Sequence, residues 1–437
     1  MNTITRVTRS MQKVLTKVAN QSARETGFIK RERKLTGASF VQSLVFGWLG
    51  NGTASSGELN QAAAVVGVII SPWGLVKRFN QEAAECLKQV LEAAMQEVVG
   101  AGEEAAIPLL QRFKGVHILD SSTVGLPAAL AKIWPGCGGS RGENAALKIQ
   151  VELNFLTGAL NRLWLQAGRQ HDLSTEAQAP HLPAEALWIT DLGYFKLAWF
   201  KALLEQGVFW LTRLKMGTNI YTETGQKLNL GRWLGAQKAN RIDLPILLGS
   251  TFRLPCRLLA VRVPEAVAAR RRRKLKRDAQ KKGQMVSQAR LALADWTLLV
   301  TSVPVSLLSL EEALILYRVR WQIELLFKLW KNEGELDTSR SQNPWRILCE
   351  VYAKLLAMII QHWIFLTEFW SYPNRSLTKA SQTVRKFAFS LALAFQQSSQ
   401  AMAAIFQAIN RCLAAGCRID PRRSQPSTYQ LLESVLS

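Results

Sequence analysis

YRVRWQIELLFKLWK, residues 317–331, combines one acid with several cations and an aromatic residue at helical spacing. Five positions follow one another at steps of three and four, which would place them on one face of a single helix. They are Tyr317, Arg320, Glu324, Lys328 and Lys331. The neighbouring rows are apolar and predict a buried flank. A carboxylate among cations suits an enzyme that holds a metal ion against a nucleic-acid phosphate, although a solvated amphipathic helix has the same pattern.

Two aspartates each end a short apolar run that is typical of a buried strand. Asp120 ends VHILD, residues 116–120, and Asp191 ends LWITD, residues 187–191. Both runs are followed by turn formers, so each carboxylate is predicted at the exit of a strand, at the edge of a sheet. Either aspartate alone also fits a turn residue or a helix cap. Together with Glu324 they form a candidate set of three carboxylates.

A four-residue pattern, Y-x2-R-x3-E-x6-K, is satisfied by Tyr317, Arg320, Glu324 and Lys331. In this the chain resembles the insertion-sequence-four family of bacterial DDE transposases, from about residue 25 to beyond residue 360. The contexts LDSSTVGLP and ITDLGYF are similar to those of the family's first and second catalytic aspartates. The resemblance implies a mixed α/β fold. A ribonuclease-H-like catalytic core would be interrupted by a β-rich insertion and flanked by a helical N-terminal DNA-binding region and a helical C-terminal region.

The resemblance also implies a mechanism of cut-and-paste transposition. Asp120, Asp191 and Glu324 would be the catalytic residues and would hold two divalent cations, Mg²⁺ or Mn²⁺, which prefer oxygen ligands. Water would nick the element's end, and the freed 3′-OH would attack next, in the best-known relatives by forming a hairpin. The cations Arg320, Lys328 and Lys331 are suited to phosphates, and Tyr317 is suited to a terminal phosphate or a displaced nucleotide.

Composition points to nucleic acid independently of any motif. The chain has 55 Lys and Arg against 32 Asp and Glu, a formal net charge of +23 and a pI near 10.1. Such a surface favours phosphate-rich partners, with binding that weakens steeply as salt rises. The most apolar stretch, 355–370, is interrupted by polar residues and predicts no membrane span, and the start of the sequence lacks the apolar segment of a signal peptide. Together with the resemblance to bacterial transposases, this leads us to expect a bacterial cytoplasmic protein associated with the nucleoid.

The six cysteines are scattered without paired spacing, and the chain has only four histidines. This argues against a disulfide framework and against a structural zinc site.

Changes in composition and in hydrophobic pattern along the sequence predict five regions. They are a helical N-terminal DNA-end-binding region (1–110), the first half of the catalytic core (111–206), a β-rich insertion with a basic run (207–303), the second half of the core with the Glu324 helix (304–370) and a helical C-terminal region (371–437). The last region could serve self-association, but packing within the core explains its apolar pattern equally well.

Within the N-terminal region, an Ala-rich helix is predicted to stop at Gly67, and Ser71-Pro72 is a good start for a second helix. That second helix would carry Trp73, Lys77 and Arg78. The pair fits a helix-turn-helix in which Lys77 and Arg78 contact DNA. An ordinary helical hairpin with a basic tip fits as well.

The predicted insertion contains the run ARRRRKLKRDAQKK, residues 269–282. Such a run is often a solvated arm, but in so basic a protein a phosphate-contacting helix or arm is favoured. Its candidate DNA contacts are Arg271, Arg272, Arg273 and Lys274. A flipped base needs an aromatic surface, for which Trp210, Trp233 and Trp296 are candidates.

Two other functions remain open from the sequence. A non-mobile nuclease on the same core needs the acids but not the Tyr/Arg/Lys stripe, and a regulator that only binds DNA needs no acids. For a transposase, the expected partners are double-stranded DNA, as the element's terminal inverted repeats and as target, and a second copy of the chain in a dimer on DNA.

Overall fold

The computed structural model describes residues 2–31, 34–138, 143–173, 179–339, 341–420 and 426–434. The chain forms two compact units. The first unit comprises Met1–Ile107, Ile118–His171 and Trp321–Gln430. The second unit comprises Pro108–His117, Asp172–Arg320 and Leu431–Ser437.

The α-helices, in chain order, are α1 (Thr3–Gln12), α2 (Ala19–Glu25), α3 (Gly37–Gly50), α4 (Ser56–Val65), α5 (Pro72–Val76), α6 (Gln81–Gln96), α7 (Pro108–Gln111), α8 (Leu197–Glu205), α9 (Leu230–Gly235), α10 (Glu265–Gln280), α11 (Gln288–Leu293), α12 (Leu310–Arg318), α13 (Trp321–Asn332), α14 (Pro344–Phe365), α15 (Leu377–Lys386), α16 (Ala388–Gln397), α17 (Ser399–Gly416) and α18 (Thr428–Ser434). A π-helical segment, Lys13–Val18, joins α1 to α2. The strands are β1 (Val116–Leu126), β2 (Ala145–Asn154), β3 (Leu160–Ala167), β4 (Leu187–Thr190), β5 (Phe209–Arg213), β6 (Ile220–Tyr221), β7 (Lys227–Leu228), β8 (Arg241–Leu248), β9 (Leu254–Arg262) and β10 (Trp296–Thr301).

In the first unit, the strand order is β3-β2-β1. The sequence predicts two strands, 147–156 and 159–167, on either side of a turn at Thr157-Gly158. This hairpin is confirmed, because β2 and β3 pair antiparallel around the turn at Gly158. Gly158 has a φ of +70°, and a Cβ there would lie 2.5 Å from side-chain atoms of Leu366 and Trp370. Only glycine fits both the turn and this close packing.

Helix α14 forms the centre of the first unit. It packs on α3 and α6, so the N-terminal and C-terminal helices share one core. At 22 residues, α14 is the one helix in the described part of the chain that is long and apolar enough to cross a membrane, but its apolar window is entirely buried within the protein. That burial is typical of a core helix.

In the second unit, the strand order is β4-β5-β10-β9-β8-β6-β7. The β4–β5 pair is parallel, and the pairs from β5 through β10, β9, β8 and β6 to β7 are antiparallel. Strands and helices alternate around this sheet, which confirms the mixed α/β class and is consistent with the ribonuclease-H-like core of a DDE transposase. The five predicted region boundaries stay predictions.

One part of the predicted insertion differs in secondary structure from the sequence-based expectation. KLNLGRWLG was expected as a strand, but β7 is only two residues long and α9 follows it. The Asn229 side chain accepts a hydrogen bond of 3.2 Å from the Arg232 amide, so it caps this helix and ends the strand. The basic run lies largely within α10, so it takes the first of the two predicted forms, a helix or an arm.

Candidate active site

Asp120 lies in the middle of β1, so its predicted place at the strand's end is wrong. The strand continues through Ser121–Thr123 to Leu126, because Thr123 and Val124 are β-branched and favour extended backbone. The residues from Val116 to Leu119 are buried, and Asp120 is the first of β1 to reach partial exposure. Its Oδ1 accepts a hydrogen bond of 2.9 Å from the Ser121 amide.

Asp191 directly follows β4, as predicted. All four residues of β4 are buried, while Asp191 is half-buried. Its Oδ1 accepts a hydrogen bond of 2.7 Å from the Leu192 amide at the start of a short 3₁₀ helix, Leu192–Tyr194. The carboxylate therefore caps a helical turn and also reaches the strand's exit.

The prediction of one continuous helix over 317–331 is wrong. Helix α12 ends at Arg318 and α13 begins at Trp321. The Val319 and Arg320 amides bond to the carbonyls three residues earlier, which tightens and ends the last turn of α12. Tyr317 and Arg320 consequently belong to the second unit, and Glu324, Lys328 and Lys331 belong to the first.

On α13, the acid and the two lysines keep the predicted common face. Glu324 and Lys331 are half-buried and Lys328 is exposed. The opposite flank, including Ile323 and Trp330, is buried as predicted. The Lys331 ammonium donates a hydrogen bond of 2.7 Å to the Thr123 carbonyl of β1, and burial lowers the pKa of Lys331 despite the nearby Asp337.

The second unit gathers three side chains around the exit of β4. The parallel register pairs Thr190 with Thr212, which places Arg213 beside Asp191 at the ends of two neighbouring strands. The Tyr317 hydroxyl donates to the Thr190 carbonyl at 3.5 Å. Burial, with a contribution from Asp191, raises the pKa of Tyr317 to about 12. Tyr317 is therefore a neutral hydrogen-bond donor at physiological pH.

Two arginines flank this tyrosine. The Arg320 guanidinium lies 6.0 Å from the centre of the Tyr317 ring, and charge from both Arg320 and Arg213 opposes the rise in the pKa of Tyr317. Arg213 was absent from the sequence-based candidates. The sequence could have indicated it, since Arg213 ends the apolar run VFWLTR in the same way as Asp191 ends LWITD.

The basic run of α10 presents two different sides. The Arg271 guanidinium donates to the Trp296 carbonyl at 3.0 Å, and Arg272 pairs with both Glu265 and Asp295. These two predicted DNA contacts are therefore held within the second unit. Arg273 and Lys274 are exposed. With them, on the same face, lie the exposed Arg270 and Arg277.

The N-terminal helical hairpin has the predicted turn at Gly67 and the predicted start of α5, but not the predicted recognition helix. Gly67 has a φ of +86°, and the Ser71 hydroxyl accepts a hydrogen bond of 3.1 Å from the Gly74 amide. However, α5 has only five residues; Lys77 is its C-cap and Arg78 lies beyond it. The prediction that both cations sit on a recognition helix is wrong, because the helix ends before it reaches them.

The three candidate tryptophans differ in burial. Trp210 is fully buried and stacks on Phe200 with ring centres 4.5 Å apart, and Trp296 is 3% exposed. Trp233, on α9, is half-buried. Of the three, Trp233 alone offers ring surface to a ligand.

The candidate metal ligands are all carboxylates, a donor set that suits hard divalent cations such as Mg²⁺ and Mn²⁺. Asp120 and Glu324 lie in the first unit and Asp191 lies in the second. Among the residues that the structure describes, no three His, Cys, Asp or Glu side chains are grouped closely enough to hold a metal ion. All six cysteines are free thiols.

Comparison with known families decides the class of protein. The model of the family described as "Transposase DDE domain" matches residues 111–360, more than half of the 437 residues. The chain belongs to the DDE transposase family. This confirms the resemblance to DDE transposases, and the chain is an insertion-sequence transposase, an enzyme that cleaves DNA.

Relatives across most of its length agree with that family. The chain is 28% identical to the transposase for insertion sequence element IS231F of Bacillus thuringiensis subsp. israelensis, over 77% of this chain and 75% of the relative. It is 27% identical to that for IS231E of Bacillus thuringiensis subsp. finitimus, over 94% and 91%. The transposase for IS1151 of Clostridium perfringens is 25% identical over 80% and 78%. DDE transposases act on DNA and depend in general on divalent metal ions.

Proposed function

We propose that this transposase cleaves the ends of an insertion sequence and transfers the freed 3′ ends to target DNA, by cut-and-paste transposition. Asp120, Asp191 and Glu324 are the proposed catalytic residues. The observation that carries the proposal is the bond between Lys331 and Thr123, because it ties the helix bearing Glu324 to the strand bearing Asp120.

The surroundings of Asp191 support the same assignment. In the second unit, the Leu187 amide at the start of β4 donates to the Gly115 carbonyl, just before β1, at 2.8 Å. Asp191 follows this bond at the exit of β4, where Arg213 ends the neighbouring strand β5. A carboxylate beside a cation suits a site that takes both a metal ion and a phosphate.

In this proposal the three carboxylates would hold two divalent cations, Mg²⁺ or Mn²⁺, which would activate the attacking oxygen and offset charge on the leaving 3′ oxygen. The cationic side chains Arg213, Arg320 and Lys328 position the phosphates beside the scissile bond by charge-assisted hydrogen bonds. The neutral Tyr317 hydroxyl exchanges its long 3.5 Å bond to the Thr190 carbonyl for one to a phosphate oxygen or a displaced nucleotide. If a hairpin forms and a base is flipped, Trp233 is the proposed stacking surface.

The test uses single variants at each acid: Asp120→Asn, Asp191→Asn and Glu324→Gln. With a labelled duplex carrying the element's own end and Mg²⁺, each is expected to lose strand cleavage by at least about a hundredfold while DNA affinity stays within a few-fold. Asp278→Asn, an exposed acid on α10, is the matched control for the change in charge and should cleave normally.

The same experiment separates the rival functions. A regulator that only binds DNA shows no metal-dependent cleavage in the parent protein. A non-mobile nuclease cleaves but does not join the 3′ end to a second duplex. Loss of DNA binding together with cleavage in any acid variant would assign that residue a structural role and remove it from the proposed site.

We also propose that the enzyme works as a dimer on DNA in the bacterial cytoplasm, associated with the nucleoid, with one subunit's N-terminal region bound to the end that its partner cuts. Two ends must be paired before joining, which favours two copies. Mixing an Asp120→Asn subunit with a DNA-binding-deficient subunit should restore cleavage if catalysis occurs in trans. No recovery in the mixture would contradict that arrangement.

A further inference from the structure

The turn between α4 and α5 exposes two large apolar side chains. Ile69 is 85% exposed and Trp73 is 66% exposed. They flank Ser71 and Pro72, which start α5 and are themselves exposed. A tryptophan and an isoleucine held in water at one turn form an apolar tip, and such tips commonly serve a binding function.

Buried side chains anchor the turn that carries this tip. Val68, Leu75 and Phe79 are each 5% exposed or less and anchor the turn in the first unit. The Val68 amide bonds to the Ala63 carbonyl at 2.8 Å, which fixes the chain as it leaves α4. At Gly74, an added Cβ would lie 2.9 Å from the Ile70 side chain, so the turn is closely packed. The exposed pair therefore has a defined position.

The charge around the tip identifies its partner. The Lys77 ammonium lies 5.8 Å from the centre of the Trp73 ring, and Arg78 is next along the chain and exposed. Between Glu58 and Glu82, residues 59–81 contain no acidic residue. An apolar tip with two adjacent cations fits the stacked bases and flanking phosphates of DNA.

We propose that Ile69 and Trp73 form a wedge that inserts between base pairs of duplex DNA and kinks it, while Lys77 and Arg78 bind the neighbouring phosphates. The inference rests on the proposed binding of DNA ends by the N-terminal region. It replaces sequence reading by a long recognition helix, for which α5 is too short, with recognition of deformable DNA. A second copy of the chain is a poorer occupant, because two side chains cannot supply the roughly 1,000 Å² that a stable interface buries.

The experiment measures binding and bending without divalent metal, in EDTA, so that its outcome is independent of cleavage. The probes are a 30-base-pair duplex of arbitrary sequence and the same duplex with a central two-base mismatch, each labelled at both ends for energy transfer. An inserting wedge favours the mismatched duplex, since its bases are already partly unstacked. We expect the parent protein to prefer it by roughly tenfold and to shorten the end-to-end distance.

Trp73→Ala and Ile69→Ala should abolish both the preference and the bend, and Trp73→Phe should retain part of each. Lys77→Gln with Arg78→Gln should weaken binding to both duplexes equally. Leu393→Ala, which removes an aliphatic side chain that is 51% exposed in the same unit, is the matched control and should behave like the parent. Unfolding midpoints establish that each variant is folded.

Two results would overturn the wedge. One is an unchanged preference and bend in Trp73→Ala. The other is a shift of Trp73→Ala from dimer to monomer in the absence of DNA, measured by sedimentation velocity, while its DNA bending stays intact. That result would assign the tip to contact between two copies of the chain. If the acid variants described above still cleaved DNA while Trp73→Ala lost bending, the catalytic assignment would fail and the wedge would stand.

Discussion

Lys331 on α13 donates a hydrogen bond of 2.7 Å to the main-chain carbonyl of Thr123 on β1. Thr123 lies three residues after Asp120, and Lys331 lies seven residues, two helical turns, after Glu324. The lysine that the sequence suggested as a phosphate contact therefore also joins the two elements that carry these acids within the first unit. This bond joins α13 to β1 at that point.

Replacing this lysine should loosen the site. Lys331→Ala is expected to lower the free energy of unfolding by about 1–2 kcal/mol and to reduce cleavage. A hydrogen bond to a charged group contributes about 1.5–3 kcal/mol, and the half-burial of Lys331 reduces that contribution. Urea titration measures the first effect. Lys328→Ala, at an exposed position on the same face, is the control and should change stability by less than about 0.5 kcal/mol. Suppose that Lys331→Ala instead kept its stability and reduced the slope of log DNA affinity against log salt by about one phosphate contact. That result would restore the role suggested by the sequence, in which Lys331 contacts a phosphate.

Arg213 should act on the substrate through its place beside Asp191. Arg213→Gln is expected to weaken cleavage by roughly tenfold or more, because a charge-assisted contact to phosphate is lost, with little change in stability. Arg253→Gln is a control of the same charge on the same unit, since Arg253 stacks over Tyr221 at 3.3 Å instead. Equal cleavage by the two variants would remove Arg213 from the site.

Tyr317 should stay neutral well into alkaline conditions, because its pKa is raised to about 12 from an ordinary value of 10.0. The folded state thus favours the protonated phenol. Its contribution to stability is complete below pH 10 and is lost as pH rises from 10 to 12. Between pH 9 and pH 11, the free energy of unfolding measured with urea should fall by about 1 kcal/mol more in the parent than in Tyr317→Phe. Parallel losses in both proteins would contradict the raised pKa.

The two sides of α10 should separate in mutagenesis. Replacing Arg273, Lys274 and Arg277 together by Gln should weaken binding to any duplex and reduce the slope of log affinity against log salt by about two to three, without lowering the thermal midpoint. Arg272→Gln should instead lower the thermal midpoint, since Arg272 pairs with Glu265 and Asp295. If Arg272→Gln reduced this slope as much as the replacement of the exposed cations does, the ion pairs of Arg272 would have to open when DNA binds.

Recognition of the element's ends is still predicted to lie mainly in residues 1–110, but deleting them is a poor test. Helix α14 packs on α3 and α6, and Arg346 on α14 donates to the Ser56 hydroxyl at 3.1 Å. A truncation would expose the core of the first unit. Point changes at exposed positions of the N-terminal region, compared on terminal and random DNA, test the same prediction in a folded protein.

The sequence by itself determined the family, the partner and the local elements. Apolar runs predicted β4 and the β2–β3 hairpin. Gly67 predicted the end of α4 and Ser71-Pro72 the start of α5, because burial and capping depend on neighbouring residues along the chain. The excess of basic residues predicted DNA in the same way, since net charge is a sum over the sequence. The four-residue pattern pointed to the DDE transposases without any structure.

Tertiary structure decided what each side chain contacts. Helical spacing could not show that α12 ends at Arg318, because 317–331 favours helix throughout and the break depends on two tightened hydrogen bonds. Sequence also could not separate Arg272, held by two acids, from Arg273, which is exposed. Nor could it place Arg213 beside Asp191 or Lys331 against Thr123, since strand register and helix packing join residues that are far apart in the chain. Local propensity acts over a few residues, whereas these contacts depend on how whole strands and helices pack.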